Sequence, residues 1–207
     1  MFDVGAHVGN RVASFRRLGA RVIAIEPQRA MVRTLRLLYG RDRSVTIEAV
    51  AVGGTPGRAR MLINPDNPTV SSVSSAFVTA AEGAPGWEGQ RWSEFAEVEV
   101  TTLDALIARH GVPAFIKIDV EGFEAEVLAG LTVPVHALSF EFTTIQRDVA
   151  RAALKRCAEL KFVRFNAALG ESQVLAHPAW IDADAMGGWI DALPHSANSG
   201  DIYALRA

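Results

Sequence analysis

The chain is 207 residues long, 49% hydrophobic and 21% charged, which suits one domain with a full core and excludes disorder or collagen-like repeats, since a chain of this size buries about 70% of its extended surface. Twenty-one Lys and Arg against 23 Asp and Glu leave a formal charge of −2, so there is no electrostatic case for nucleic acid or an anionic membrane as partner. A single cysteine, Cys157, excludes an internal disulfide and a cysteine-built zinc site, and no apolar run approaches the roughly 18 residues that span a bilayer, so the expected address is the cytoplasm.

Phe2 to Val4 reads as a strand, with nothing ahead of it to cover the sheet, and a leading segment is expected to be missing. Val8, Val12 and Phe15 follow at helical spacing up to Gly19. Arg21 to Ile25 is a continuous apolar strand, and the next helix is expected to bury Met31, Leu35 and Leu38 before Gly40 closes it. Val45 to Val52 reads as a third strand; the GGTPG at Gly53 to Gly57 is a turn from which Arg60 to Ile63 can return as a hairpin. Residues 64–97, rich in Ser, Pro, Gly and Ala, read as one long excursion, a lid or substrate loop. Within it Trp87 and Trp92 either stack on a sugar ring or pin the segment down, and the serines at Ser71, Ser72, Ser74 and Ser75 either bind hydroxyls or form a flexible loop. Strands are expected at Val98 to Thr101, Ala114 to Val120, Ala137 to Phe142, Phe162 to Phe165 and Ile202 to Leu205, with helices at Asp104 to His110, around Phe123 to Leu131 and at Asp148 to Leu160. Alternation of strand and helix over 1–207 indicates one α/β domain with a mostly parallel, doubly wound sheet, whose chemistry lies beyond the carboxyl ends of its strands.

Two places at those ends carry chemistry. Asp3-Val4-Gly5-Ala6-His7-Val8-Gly9 is a strand-to-helix turn in which Gly5 permits a tight bend and Gly9 would let the backbone approach a ligand. It matches the dinucleotide fingerprint poorly, because His7 and Asn10 stand where glycines belong. Glu26, 23 residues after Asp3, stands where α/β nucleoside binders place the carboxylate that accepts ribose hydroxyl protons. The second place is Lys117-Ile118-Asp119-Val120-Glu121-Gly122, followed by Glu124. In a strand, Lys117, Asp119 and Glu121 would share one side, where charge needs a partner or a ligand. Function is the favoured reading for Asp119 and Glu121, and an ion pair for Lys117.

The strings DVGAHVGN, IEP, TLDAL at Thr102 to Leu106, IKIDVEGFE and VLAG at Val127 to Gly130, with SFEF at Ser139 to Phe142 as a weaker continuation, resemble the FkbM-type S-adenosylmethionine-dependent methyltransferases. The resemblance implies a class I methyltransferase (Rossmann-like) fold, a seven-stranded sheet with its last strand antiparallel, and methyl transfer usually to a hydroxyl oxygen. It implies that Asp3, Gly5, Ala6 and Gly9 line the methionine and ribose part of S-adenosylmethionine, that Glu26 with Pro27 takes the ribose, that Ala49, Val50 and Ala51 lie near the adenine, and that Asp119 lies near the amino acid end or the reacting centre.

Methyl transfer from a sulfonium is an in-line displacement in which the acceptor hydroxyl also loses a proton. Asp119, Glu121 and Glu141, each expected at the carboxyl end of a strand, are the candidate bases, with His7 secondary. A divalent cation held by those carboxylates would serve as well, but their spacing matches no dedicated motif and no metal site is expected. His110 is expected to complement its helix dipole, and Cys157 to be inert core. The expected acceptor is a hydroxyl of a small metabolite, sugar or glycan, with residues 170–200 setting its identity. The rivals are a cofactor-binding or interaction module that has lost catalysis, and a nicotinamide-dependent oxidoreductase; the oligomeric state is left open.

Overall fold

The continuous apolar runs become the middle of one sheet. In chain order, a computed structural model describing residues 1–207 has strands β1 (Phe2–Val4), β2 (Val22–Ile25), β3 (Val45–Glu48), β4 (Ala51–Val52), β5 (Gly57–Ile63), β6 (Glu94–Thr101), β7 (Ile116–Ile118), β8 (Ala137–Thr143), β9 (Phe162–Leu169) and β10 (Ser199–Arg206). The helices are α1 (Asn10–Arg17), α2 (Arg29–Tyr39), α3 (Ser75–Ala81), α4 (Leu103–His110), α5 (Glu124–Ala129), α6 (Arg147–Glu159) and α7 (Ala183–Ala192). Seven strands form a sheet in the order β3-β2-β1-β7-β8-β10-β9, parallel throughout except where β10 runs antiparallel to both neighbours. A second sheet, β4-β6-β5, stands beside it.

Alternation along the strands divides the large sheet into an oily face and a polar one. Phe2, Val4, Ile116, Ile118, Leu138, Phe140 and Ile202 join the buried residues of α4, α5, α6 and α7 in the main core, which also takes in Cys157, as expected. Their neighbours Asp3, Lys117, Ser139, Glu141 and Asp201 occupy the other side of the same strands, in a register that sets Asp3 beside Lys117, Lys117 beside Ser139, and Glu141 beside Asp201. A smaller core of Ala6, Val12, Val22, Ala24 and Leu35 lies under α1 and α2.

Several sequence expectations are corrected. The buried stripe of α2 is Val32 and Leu35, with Met31 half-buried and Leu38 59% exposed; both stripes have helical spacing, and the packing of Gly9 against Leu35 and Tyr39 selects between them. The third strand breaks at Ala49 and Val50, where the chain changes sheets. Residues 57–63 do not fold back on it: β5 pairs antiparallel with β6, because the eight-residue β6 offers a full ladder and the two-residue β4 does not. The excursion ends at residue 93 and contains α3. Phe77 meets Trp87 and Trp92 edge to face at 5.2 and 6.1 Å, and Trp92 Nε1 donates to the Val70 carbonyl at 2.8 Å, so both tryptophans pin the segment. Residues 170–200 contain α7, capped by Asp182.

β7 is shorter than expected. Asp119 N still donates to the Val4 carbonyl at 2.9 Å, but Glu121 takes a left-handed φ of 54° and Gly122 one of 81°, turning the chain away from the sheet. A Cβ at Gly122 would run into Gln146 and Phe77. Gly122→Ala is therefore expected to cost about 2–4 kcal/mol from strain and overpacking together, measurable as a lower urea midpoint; an unchanged midpoint would show that the turn relaxes freely.

Candidate active site

A cavity of about 620 Å³ opens at the carboxyl ends of β1, β2, β7 and β8. Its walls are the turn Gly5 to His7 with Asn10 and Arg11, the segment Glu26 to Gln28, Val50 to Val52 with Met61, the excursion residues Thr69 and Ser71 to Val73, and Asp119 to Glu121 with Glu141 and Glu171. The small sheet and the excursion thus supply one side, and the large sheet the other.

The glycine turn is shaped by contact with β7. Gly5 has φ +83°, and a Cβ there would collide with the Asp119 carbonyl oxygen, so only glycine lets the ends of β1 and β7 come together. Gly9 is different: with φ +92° it packs on Leu35 and Tyr39, the Tyr39 hydroxyl donates to its carbonyl at 2.9 Å, and it does not line the cavity. The expected close approach of Gly9 to a ligand is thus replaced by helix packing. Asp3 also lies off the cavity, 1% exposed beneath it, where burial pushes its carboxyl up to about 7. Ala49 points outward, while Val50 and Ala51 line the wall.

Glu26 is 2% exposed at the end of β2. Its Oε2 accepts from His7 N at 2.9 Å and its Oε1 from Gln28 N at 2.8 Å, so backbone on both sides fixes the carboxylate. Burial pushes Glu26 up to about 7 against the pull of those amides. Pro27, as the residue between, also lines the cavity. Gln28 ties this segment to the excursion through its Nε2, which donates to the Pro68 carbonyl at 3.1 Å.

At the other end, Asp119, Glu121 and Glu141 each bring an oxygen within 4.8 Å of the others, a spacing a divalent cation could bridge. The arrangement already supplies its own cation: Lys117 Nζ donates to Asp119 Oδ2 at 2.9 Å and to Asp201 Oδ1 at 3.0 Å. Burial alone would raise Asp119, but the Lys117 ammonium prevails and holds it below the usual range. Burial, and then the Asp119 charge, push Glu121 and Glu141 well up. Glu121 reaches the cavity through its left-handed turn, which Ser72 clamps by donating from Oγ to the Glu121 carbonyl at 2.6 Å. Ser71 accepts from Asn64 N at 3.2 Å, so the serine cluster is bonded and buried at this point. Glu124 turns inward and accepts from Val120 N and Gly122 N. The Nε2 of His7 is buried without a partner beside the cavity, whereas His110 ends α4, as expected of a residue placed at a helix C-terminus, and is also tied to Glu48 Oε1 at 2.7 Å.

Arg11, Glu171 and Asp201 were not legible as site residues. The only sequence signals were a cation in the first turn of the first helix and an acid beside the last apolar strand.

Asp3, Glu26 and Glu124 each sit near 7 because burial disfavours their charge. A carboxyl raised on folding adds stability that is complete below its ordinary value and lost as pH rises through the folded one. Asp104 and Asp119, held below 3.8, act oppositely and give way only in stronger acid. The ligand-free chain is therefore expected to melt several degrees higher near pH 5 than at pH 8; a flat calorimetric profile between the two would sink this.

The family described as the Methyltransferase FkbM domain matches residues 3–164. The chain belongs to the FkbM methyltransferase family. Among solved structures it is similar to the FkbM methyltransferase of Methylobacillus flagellatus KT, at 18% identity and a TM-score of 0.54, over 99% of this chain and 42% of that one, so it spans less than half of that protein's length. It is also matched with a precorrin-6y C5,15-methyltransferase of Geobacter metallireducens GS-15, at 13% identity and a TM-score of 0.42, over 100% of this chain and 80% of that one. No curated protein matches the chain. The seven-stranded sheet with its antiparallel β10 is the class I methyltransferase fold that the sequence motifs imply. No helix is long and apolar enough to cross a membrane.

Proposed function

We propose that this FkbM family member is an S-adenosylmethionine-dependent methyltransferase acting on a hydroxyl oxygen of a small metabolite, sugar or glycan. The observation that carries the reading is the cavity with a backbone-fixed, buried Glu26 at one end and an ionised Asp119 among raised carboxyls at the other. The residues present fit the cofactor. Glu26 keeps lone pairs on both oxygens for ribose hydroxyls, Pro27 and Gln28 flank it, and Val50, Ala51 and Met61 offer an apolar wall for a base. Gly5 and Ala6 line the passage to Asp119. When bound, the cofactor supplies a methyl group on a sulfonium, open to in-line attack.

The chain's own part is to hold an acceptor hydroxyl and take its proton. Asp119 is the ionised member of the cluster and accepts that proton; Glu121 and Glu141, shifted toward their protonated forms, donate hydrogen bonds that keep the acceptor oriented. Thr69, Ser71, Ser72 and Val73 form the acceptor wall, which makes the excursion a substrate loop held by its own small core.

Calorimetric titration with S-adenosylhomocysteine, with NAD as control, tests the reading. Micromolar binding of the first alone is expected; a folded chain that binds NAD instead, or neither, overturns it. With an acceptor found by screening hydroxylated compounds for methyl incorporation, Asp119→Asn is expected to lower kcat by roughly 10²–10⁴-fold while the melting temperature moves little. A variant that only melts earlier would reduce Asp119 to a partner of Lys117.

A further inference from the structure

Five carboxylates line the cavity and one guanidinium, that of Arg11, faces them. Arg11 stands on the first turn of α1, and the charges acting on it are those of Glu171, Asp201 and Asp119, which places it at the Asp119 end, away from Glu26. Its Nη2 donates to Glu171 Oε2 at 2.6 Å. Glu171 comes from the turn after β9, 160 residues along the chain, and its side chain is 80% exposed. That is the one hydrogen bond the Arg11 side chain makes to the protein, so most of its five N–H donors are unused. Lys117 cannot substitute for it, because its ammonium is 6% exposed and committed to Asp119 and Asp201.

We propose that Arg11 receives the methionine carboxylate of the cofactor, and that Glu171 holds that place in the free protein and is displaced on binding. The inference rests on the cofactor reading above and deepens it. With ribose at Glu26, the amino acid end extends toward the ionised Asp119, whose Lys117 partner is already committed, so a carboxylate arriving there needs another cation beside it. Arg11 is the one cation lining the cavity, and its planar fork suits a carboxylate. Exchange of partners is cheap, since an ion pair with so exposed a member contributes little to stability. Glu171 thereby competes with the cofactor for the same guanidinium.

The test compares S-adenosylhomocysteine with 5′-methylthioadenosine, which keeps the nucleoside and thioether but lacks the amino acid. Arg11→Gln is expected to weaken the first by about 10- to 100-fold and leave the second within about twofold, with Arg11→Lys recovering part of the loss. Glu171→Gln is expected to tighten S-adenosylhomocysteine by about 3- to 10-fold and again leave methylthioadenosine unmoved. Equal weakening of both ligands by Arg11→Gln would make Arg11 a wall of the pocket only and overturn the proposal. Unchanged S-adenosylhomocysteine affinity would do the same and transfer Arg11 to an anionic group of the acceptor, while weaker binding by Glu171→Gln would end the idea of a placeholder. A wild-type chain that binds neither nucleoside overturns the cofactor reading itself, and this proposal with it. Both side chains are partly or largely exposed, so the variants should fold, as matching melting temperatures would verify.

Discussion

Replacing Lys117 with methionine is expected to lower folding stability by about 3–5 kcal/mol and the melting temperature by about 6–20 °C. The ammonium is buried between Asp119 Oδ2 and Asp201 Oδ1, at 2.9 and 3.0 Å, and the Asp201 side chain is only 13% exposed. Methionine has nearly the same length, so the loss is one of charge rather than volume. Two carboxylates would then face each other and Glu141 with no cation among them, and part of the cost would be met by proton uptake. The partner experiment is Lys117→Met with Asp201→Asn, which removes one of the stranded charges and should regain a substantial part of the loss. A single variant that loses less than about 1 kcal/mol, in the range of an exposed ion pair, would show that water already screens the group. The same substitution would raise the Asp119 carboxyl, because Lys117 is what outweighs its burial. Structural pairing and tuning of the candidate base are thus one interaction.

That pairing was half legible. Lys117 and Asp119 lie two apart on a strand-like run, so an ion pair at the rim could be read from alternation alone. Asp201, 84 residues further on, could not, because only the antiparallel return of β10 sets it beside Glu141 and within reach of Lys117. The central strands were legible for a simpler reason: Val22–Ile25 is a short apolar run buried on both faces, and Ile116–Ile118 sets one lysine between two β-branched apolar residues. The small sheet escaped because only the Val98 to Thr101 half of β6 read as strand, while Glu94 and Glu97 read as surface coil next to a Pro- and Gly-rich stretch. α7 escaped because Gly187 and Gly188 stand in its middle, although Asp182 was an available capping signal. Glycine roles were harder still. Gly5 and Gly9 both have positive φ, yet one is required by the Asp119 carbonyl and the other by Tyr39, and no local pattern distinguishes contacts with such distant partners.

Glu26→Gln is expected to weaken S-adenosylhomocysteine binding by about 1.5–3 kcal/mol, or roughly 10- to 150-fold. In the protein both carboxylate oxygens already accept a backbone N–H, from His7 and from Gln28. An amide has one oxygen and one NH2, so one of those backbone donors would face another donor, and the charge that strengthens bonds to ribose hydroxyls would be gone. The pH dependence separates this role from a merely structural one. Because burial places Glu26 near 7 in the free protein, a ligand that needs the ionised form must first displace a proton below that pH. Affinity should therefore climb by up to about tenfold per pH unit between pH 5 and 7 and level off above, while the Glu26→Gln protein should bind weakly with little slope over the same range. This runs opposite to the stability of the empty chain, which falls as the same carboxyl ionises, so ligand should protect against heat far more at pH 8 than at pH 5. Parallel slopes in wild type and variant would mean that another group, with Asp119, Glu121 and Glu141 the nearest, sets the titration and that Glu26 does not hold the ribose.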